Sequence, residues 1–334
     1  MNPALLAPAR LCADEAFTVA VGRLTGITGF ASTVCADDDR RPSVFSRLHH
    51  IVRVAQTWEL VASEFGLDVD PEVVCEAIWL HDLNRWPFAH NLERERYNQA
   101  ADARRYLTQR SFLPAERVLR AIDDLHAWNW KTDDASCLVA VAADRVAGIV
   151  EDLLVAICGL NLAPAYLGDS VLELVGVDAE DRRTADHLAA LHRLLNRDGD
   201  VAGFTRSLGE EHRERVTLLL RRGRTLYGTG MGGLSATIEN VHSIRNGVIG
   251  PRLFPINNDG VSRRPALEQL AFQPAFAAGE LTLEPEDMLQ HDDTTMARLC
   301  VSLAEARESP INPGIFVPDL DFVPREMSEW AFVL

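Results

Sequence analysis

The sequence predicts an all-α chain. Apolar residues recur at helical spacing through several long windows, helix-capping residues stand at the ends of those windows, and no stretch supports a β-sheet of any size. Residues 46–65 carry Leu48, Ile51, Val52, Ala55, Trp58, Val61, Ala62 and Phe65 on one face, and Gly66 ends the run. Asp70-Pro71 then pairs an N-cap with proline at the first helical position, opening a second helix that runs to about His81. Pro87 disfavours helix at Trp86 and makes that end sharp.

The next elements follow the same signals. A short helix is expected from Tyr97 to Leu107, and another from Pro114 with Val118, Leu119, Ile122 and Leu125 on one side. Asp133 is placed to cap a long apolar helix, Cys137 to Ile157, that stops near Gly159. Ala185 to Leu195 is helical and stops at Asp198-Gly199. Ser207 with Glu210 forms a capping-box pattern that opens a helix toward Leu226. Gly228, Gly230, Gly232 and Gly233 then break the chain as a hinge, and Thr237 to Arg245 is one further helix. From Gly247 onward prolines and glycines recur, with enough Phe, Leu and Val for the segment to pack on the helical body.

With 334 residues, 47% of them hydrophobic, the chain can bury an ample core. A formal net charge of −16 argues against nonspecific nucleic-acid binding, because a polyanion is repelled. A small phosphorylated substrate needs only a local cationic pocket and stays open. The six cysteines are scattered without a C-x-x-C pair, which points to a reducing compartment. Residues 1–8 lack the basic region and apolar core of a signal peptide, and no apolar run spans a bilayer. A cytoplasmic protein without membrane contact is expected.

The chemistry concentrates at His81 and Asp82, which close the apolar stretch 77–80. Imidazole and carboxylate side by side form half of a metal site, and His50 and Asp144, on two other expected helices, are candidates for the rest. Two imidazoles and two carboxylates suit divalent Mn, Fe, Co, Ni or Zn and leave positions open for water. Asp144 is the clearest case, because it stands in the apolar run 138–150, where a bare carboxylate costs several kcal/mol. Read alone, it is equally an ion-pair partner of Arg145, and His50 alone reads more readily as a core histidine bonded to a carbonyl. Gly148, one turn beyond Asp144, leaves room for close helix packing or for a ligand.

Taken in order, Arg47-Leu48-His49-His50-Ile51-Val52-Arg53-Val54-Ala55, Trp79-Leu80-His81-Asp82 and Ala143-Asp144-Arg145 resemble the H…HD…D pattern of the HD-domain phosphohydrolase superfamily. The resemblance covers about Phe45 to Leu154 and implies an HD-domain helical bundle with metal ligands His50, His81, Asp82 and Asp144. Mg then joins the divalent candidates. His50 is preferred to His49 because the family string places its ligand four residues before Val54. Pro87-Phe88-Ala89-His90 is similar to the deoxynucleoside triphosphate triphosphohydrolase branch, which implies a catalytic role for His90 with Glu93 as its acidic partner. Tyr97-Asn98-Gln99 resembles the next string of that branch, with Tyr97 in place of histidine.

Arg85 stands where the branch has its first catalytic histidine. It cannot act as a base near neutral pH but can clamp a phosphate. Arg47, one turn before His50, is a second phosphate clamp; Tyr97 and His126 are assigned to substrate binding, His126 with a supporting structural role as the stronger use. Arg221, Arg222 and Arg224 read as a solvated helix end.

The expected organisation is an N-terminal extension over 1–44, a metal-binding HD core over 45–160, additional helices packed on it over 161–246, and an irregular Pro/Gly-rich segment over 247–334. The expected activity is metal-dependent hydrolysis of a nucleotide or similar small phosphorylated substrate, in a protein that the resemblance suggests is a homo-oligomer. The alternative is a catalytically altered HD fold serving as a nucleotide-binding or regulatory module. A third reading, an HD-type oxygenase with two irons, is disfavoured by the shortage of well-placed histidines.

Overall fold

The computed structural model describes residues 7–27, 46–87, 98–154, 201–249 and 289–292, with the single residues 173, 176 and 295. The described residues are helical and contain no strand ladder. In chain order the helices are α1 (Ala9–Cys12), α2 (Glu15–Arg23), α3 (Arg47–Phe65), α4 (Pro71–Leu80), α5 (Gln99–Gln109), α6 (Glu116–Ala127), α7 (Ala135–Leu154), α8 (Val201–Tyr227) and α9 (Gly230–Ile244). A 3₁₀ turn (Leu24–Gly26) follows α2 and a π-helical turn (Arg245–Ile249) follows α9. The expected helix Ala185–Leu195 and nearly all of 247–334 lie outside the described residues.

α7 is the axis of the fold. Apart from Ala135, Gly148 and Glu151, all of its residues are buried. A helix buried on every side has no solvent face to offer, so neighbours must surround it. α3, α4, α6, α8 and α9 all pack against it. α2 covers the outer side of α4: Phe17 sets its ring edge-on to Trp79 at 6.0 Å and to Phe112 at 6.4 Å. The Ile27 carbonyl accepts from the Arg47 amide at 2.6 Å, tying the N-terminal segment to the start of α3. Arg23 donates to the Leu83 carbonyl at 2.9 Å and to the His291 carbonyl at 3.1 Å, so it joins the loop after α4 to the 289–292 segment.

At the end of α3 and the start of α4, sequence and structure agree. Ser46 caps α3, its hydroxyl accepting from the His49 amide, and Gly66 ends that helix in the left-handed region at φ 64°. Asp70 caps α4 ahead of Pro71.

Four boundaries differ from expectation. The carboxylate that caps α7 is Asp134, accepting from the Ser136 and Cys137 amides, while Asp133 pairs with Arg120. α6 starts at Glu116, two residues after Pro114, because the expected proline position falls outside the helix. α8 runs unbroken from Val201, so Ser207 and Glu210 are interior to it and no capping box forms there. α9 starts at Gly230 and not near Thr237: the turn uses Gly228 (φ 86°), and the later glycines enter the helix. At Gly233 a Cβ would stand 2.1 Å from the Gly228 carbonyl oxygen, so the glycine is needed for the tight α8–α9 turn.

Among the described residues no helix is long and apolar enough to cross a membrane. Cys75 and Cys137 form no disulfide among the described residues.

The Arg117 guanidinium, with the amides of Ser136 and Cys137, pulls the Asp134 carboxyl down to about 2 against some desolvation. The depressed value means that this cap stabilises the fold fully above the unfolded pKa and fails as pH falls through about 2. Asp134→Ala is expected to lower the unfolding free energy by about 1 kcal/mol at neutral pH in urea titrations. The difference from the parent protein should shrink as the pH is taken from 4 toward 2.

Candidate metal centre

Three separate stretches deliver one cluster. His50 comes from the second turn of α3, His81 and Asp82 from the end of α4, and Asp144 from the middle of α7. Ligand atoms of His50, His81 and Asp82 lie within 4.8 Å of one another, and all three residues are buried. Asp144 joins them: its Oδ1 is 3.0 Å from His50 Nε2 and 3.9 Å from His81 Nε2. His49 turns away and sets Nδ1 2.9 Å from the Ser46 hydroxyl, and burial lowers its pKa to about 3.

The chemistry of the donors fits a cation. His81 Nδ1 is 2.7 Å from the Ile78 carbonyl, which can only accept, so this nitrogen carries the hydrogen. In the neutral ring Nε2 then presents a lone pair. That atom is buried, without a hydrogen-bond partner among the described residues, and 3.0 Å from Asp82 Oδ2. A lone pair facing a carboxylate oxygen repels it; a divalent ion between them turns repulsion into ligation.

His50 is held from both sides. Nδ1 is 2.8 Å from Glu151 Oε2 and Nε2 is 3.0 Å from Asp144 Oδ1. Glu151 is itself held by Arg53 Nη1 at 3.2 Å. Burial is the largest influence on His50 and opposes its charged form, as does Arg47, yet the Glu151 and Asp144 carboxylates outweigh both and raise its pKa. A metal at Nε2 would replace that proton, so metal binding and proton release are linked here. Glu151 lies seven residues after Asp144, two turns along the same helix face. Sequence reading missed it, although a second acid at that spacing in so apolar a helix was a usable signal.

Arginines surround the acids. Arg47 makes a close ion pair with Asp82 Oδ2 through Nε and Nη2. Burial is the largest influence on Asp82 and opposes ionisation, but Arg47, foremost among its charged neighbours, helps to hold it well below the usual carboxylate range. Arg85 Nη1 lies 3.8 Å from Asp82 Oδ1 and donates to the Gln99 side chain. Gln99, the first residue of α5, donates from Nε2 to Asp82 Oδ1 at 2.6 Å. Asn84 fixes the Gln99 carbonyl at 2.8 Å. Asp144 has Arg145 Nη2 at 3.2 Å from its other oxygen, so its ion pair and its place in the cluster coexist. His126 Nε2 donates to the His81 carbonyl at 2.8 Å, and burial lowers its pKa to about 4. It braces His81 from behind as a neutral ring.

The two histidines and two aspartates of the cluster, with Gln99 and His126, line a cavity of about 360 Å³. Four arginines, Arg47, Arg85, Arg145 and Arg245, face it against two carboxylates, Asp82 and Asp144, in a chain whose net charge is −16. Gly148 also lines it, and a Cβ there would approach nothing nearer than His50 Cε1 at 4.0 Å, so the glycine keeps the cavity open. Arg221 and Arg224 pair with Glu64 and Arg222 pairs with Glu173, all half-exposed, away from the cavity. His90, Glu93 and Tyr97 lie outside the described residues.

Comparison of the chain with models of known families, with characterised proteins and with solved structures finds no match.

Glu151→Gln removes the anion that orients His50 while preserving its shape. The expected result is a loss of about 10- to 100-fold in affinity for divalent Mn or Zn, read by direct metal titration, with helix content unchanged in circular dichroism.

Proposed function

We propose that the chain is an HD-type phosphohydrolase that uses a divalent metal to hydrolyse a small phosphorylated substrate, with nucleotides the first class to test. One observation carries this reading: a histidine and aspartate cluster assembled from α3, α4 and α7 opens into a cavity lined by four arginines within an acidic protein. The order of His50, His81, Asp82 and Asp144 along the chain supports an HD-type bundle. Their metal is proposed from the donor set, which suits Mn, Fe, Co, Ni or Zn, and Mg less well.

When bound, a divalent ion supplies Lewis-acid polarisation of a phosphoryl oxygen and acidification of water. The chain's own residues would do the rest. Asp82 and Asp144 would supply anionic oxygens that orient the attacking water. Arg47 would neutralise the phosphoryl group from the Asp82 side, in a cavity that lies below the surface and strengthens such interactions. Glu151 and the Ile78 carbonyl would fix the ring orientations of His50 and His81. By resemblance, His90 would protonate the leaving group with Glu93 holding its tautomer.

A second reading, an altered HD fold that binds without hydrolysing, is favoured by Arg85. That side chain is buried and bound to Gln99 beside Asp82, where the similar branch has a histidine. It can hold an anion and cannot exchange protons at neutral pH.

Purified protein is expected to carry transition metal that is lost in His81→Ala. With added Mn it should release phosphate from at least one member of a panel of nucleoside mono- and triphosphates. Protein that binds no metal under gentle purification would sink the reading. Bound metal without turnover of any panel member would favour the binding module.

A further inference from the structure

We propose that Arg145 and Arg245 form a second anion subsite at the Trp128 end of the cavity, for a substrate that carries two phosphoryl groups. The inference rests on the hydrolase reading only for what occupies the first site.

Arg145 is 8% exposed, and its Nε is buried without a hydrogen bond among the described residues. Its ion pair is with Asp144 Oδ2, while Asp144 Oδ1 belongs to the histidine cluster. One half-committed carboxylate does not use the five donors of a guanidinium, and a buried donor left unsatisfied is costly. An anion in the cavity answers that need.

A second cation faces the same wall. Arg145 Cζ stands 3.7 Å from the centre of the Trp128 ring, and Arg245 Cζ 5.9 Å from it. Two guanidiniums on one indole repel each other, and a bound anion between them offsets that repulsion. Arg245 is anchored from behind, its Nε donating to Asp152 Oδ2 at 2.9 Å. It stands on the π-helical turn after α9, a geometry frequent at functional sites. Trp128 occupies the left-handed region at φ 55°, a conformation that a bulky side chain rarely adopts and that persists where surrounding structure enforces it. His242 packs edge-on to the indole at 5.1 Å and helps enforce it.

The two cationic groups stand on different sides of the metal cluster. Arg47 and Arg85 lie at Asp82, and Arg145 lies on the far oxygen of Asp144. A phosphoryl group at the cluster therefore leaves Arg145 and Arg245 for a second one. A cavity of about 360 Å³ takes a compact molecule. The shared chemistry is two phosphoryl groups in one small substrate, either joined as a diphosphate or separated on a carbon skeleton.

The test uses the full chain with metal removed by chelator, titrated calorimetrically with orthophosphate, methylenediphosphonate and propane-1,3-bisphosphonate. At least one two-phosphoryl probe should bind tenfold or more tighter than orthophosphate, roughly the value of one added charge-assisted contact. That advantage should vanish in the double variant Arg245→Gln/Asp152→Asn, which removes both members of a buried pair and leaves no lone charge. Preference for the diphosphonate assigns adjacent phosphates, and preference for the propane compound assigns separated ones. Equal affinity for all three probes, including none, overturns the proposal, as does an advantage that survives in the folded double variant. If circular dichroism shows that this variant fails to fold, Arg145→Lys takes its place; it keeps the charge, loses the planar fork and must also reduce the advantage. The measurement involves neither metal nor turnover, so its outcome is independent of whether the chain hydrolyses phosphate.

Discussion

Everything in this fold answers to the burial of α7. A helix enclosed by five others can be wholly apolar at little cost, but this one carries Asp144, Arg145, Glu151 and Asp152. Each buried charge loses several kcal/mol of hydration and needs a partner within contact distance. Asp144 and Arg145 pair within the helix, and the other partners come from outside it: His50 and Arg53 from α3, His81 from the end of α4, and Arg245 from the turn after α9. The helices around α7 are thus placed by apolar packing and oriented by charge.

The same constraint makes the site. Asp144 and Glu151 bracket the His50 ring because they share a helix face two turns apart. His81 is aimed by a carbonyl of its own helix and braced by His126. Nothing in this inner set requires a loop to be ordered by substrate. The outer wall is different in kind: Arg47, Arg85, Arg145 and Arg245 concentrate positive charge in one cavity of an acidic protein. Such a pattern draws a small anion inward while the surface repels polyanions.

Legibility from sequence followed the range of the interactions. Gly66 and the Asp70-Pro71 pair announced their boundaries because a cap is a contact within a few residues. The cap of α7 was misplaced by one residue because Asp133 and Asp134 are chemically identical, and only the salt bridges to Arg120 and Arg117 tell them apart. The Ser207/Glu210 pattern misled because α8 extends across it. The glycines after Tyr227 suggested a hinge, yet the turn is tight, with Gly233 closing against the Gly228 carbonyl, and α9 starts at Gly230. In the site, Glu151 was legible by spacing and overlooked. Gln99 stood in a noticed string without a role, and Arg245 had no signal at all.

The sequence by itself determined the helical class, most helix limits and the residues able to ligate a metal, because periodicity, caps and donor chemistry are properties of neighbouring residues. Only the tertiary structure decided that His50, His81, Asp82 and Asp144 meet, that Glu151 and Gln99 hold them, and that Arg245 reaches the indole of Trp128. Those are contacts between segments far apart in the chain. They are set by how five helices share the surface of α7, and no local pattern encodes that packing.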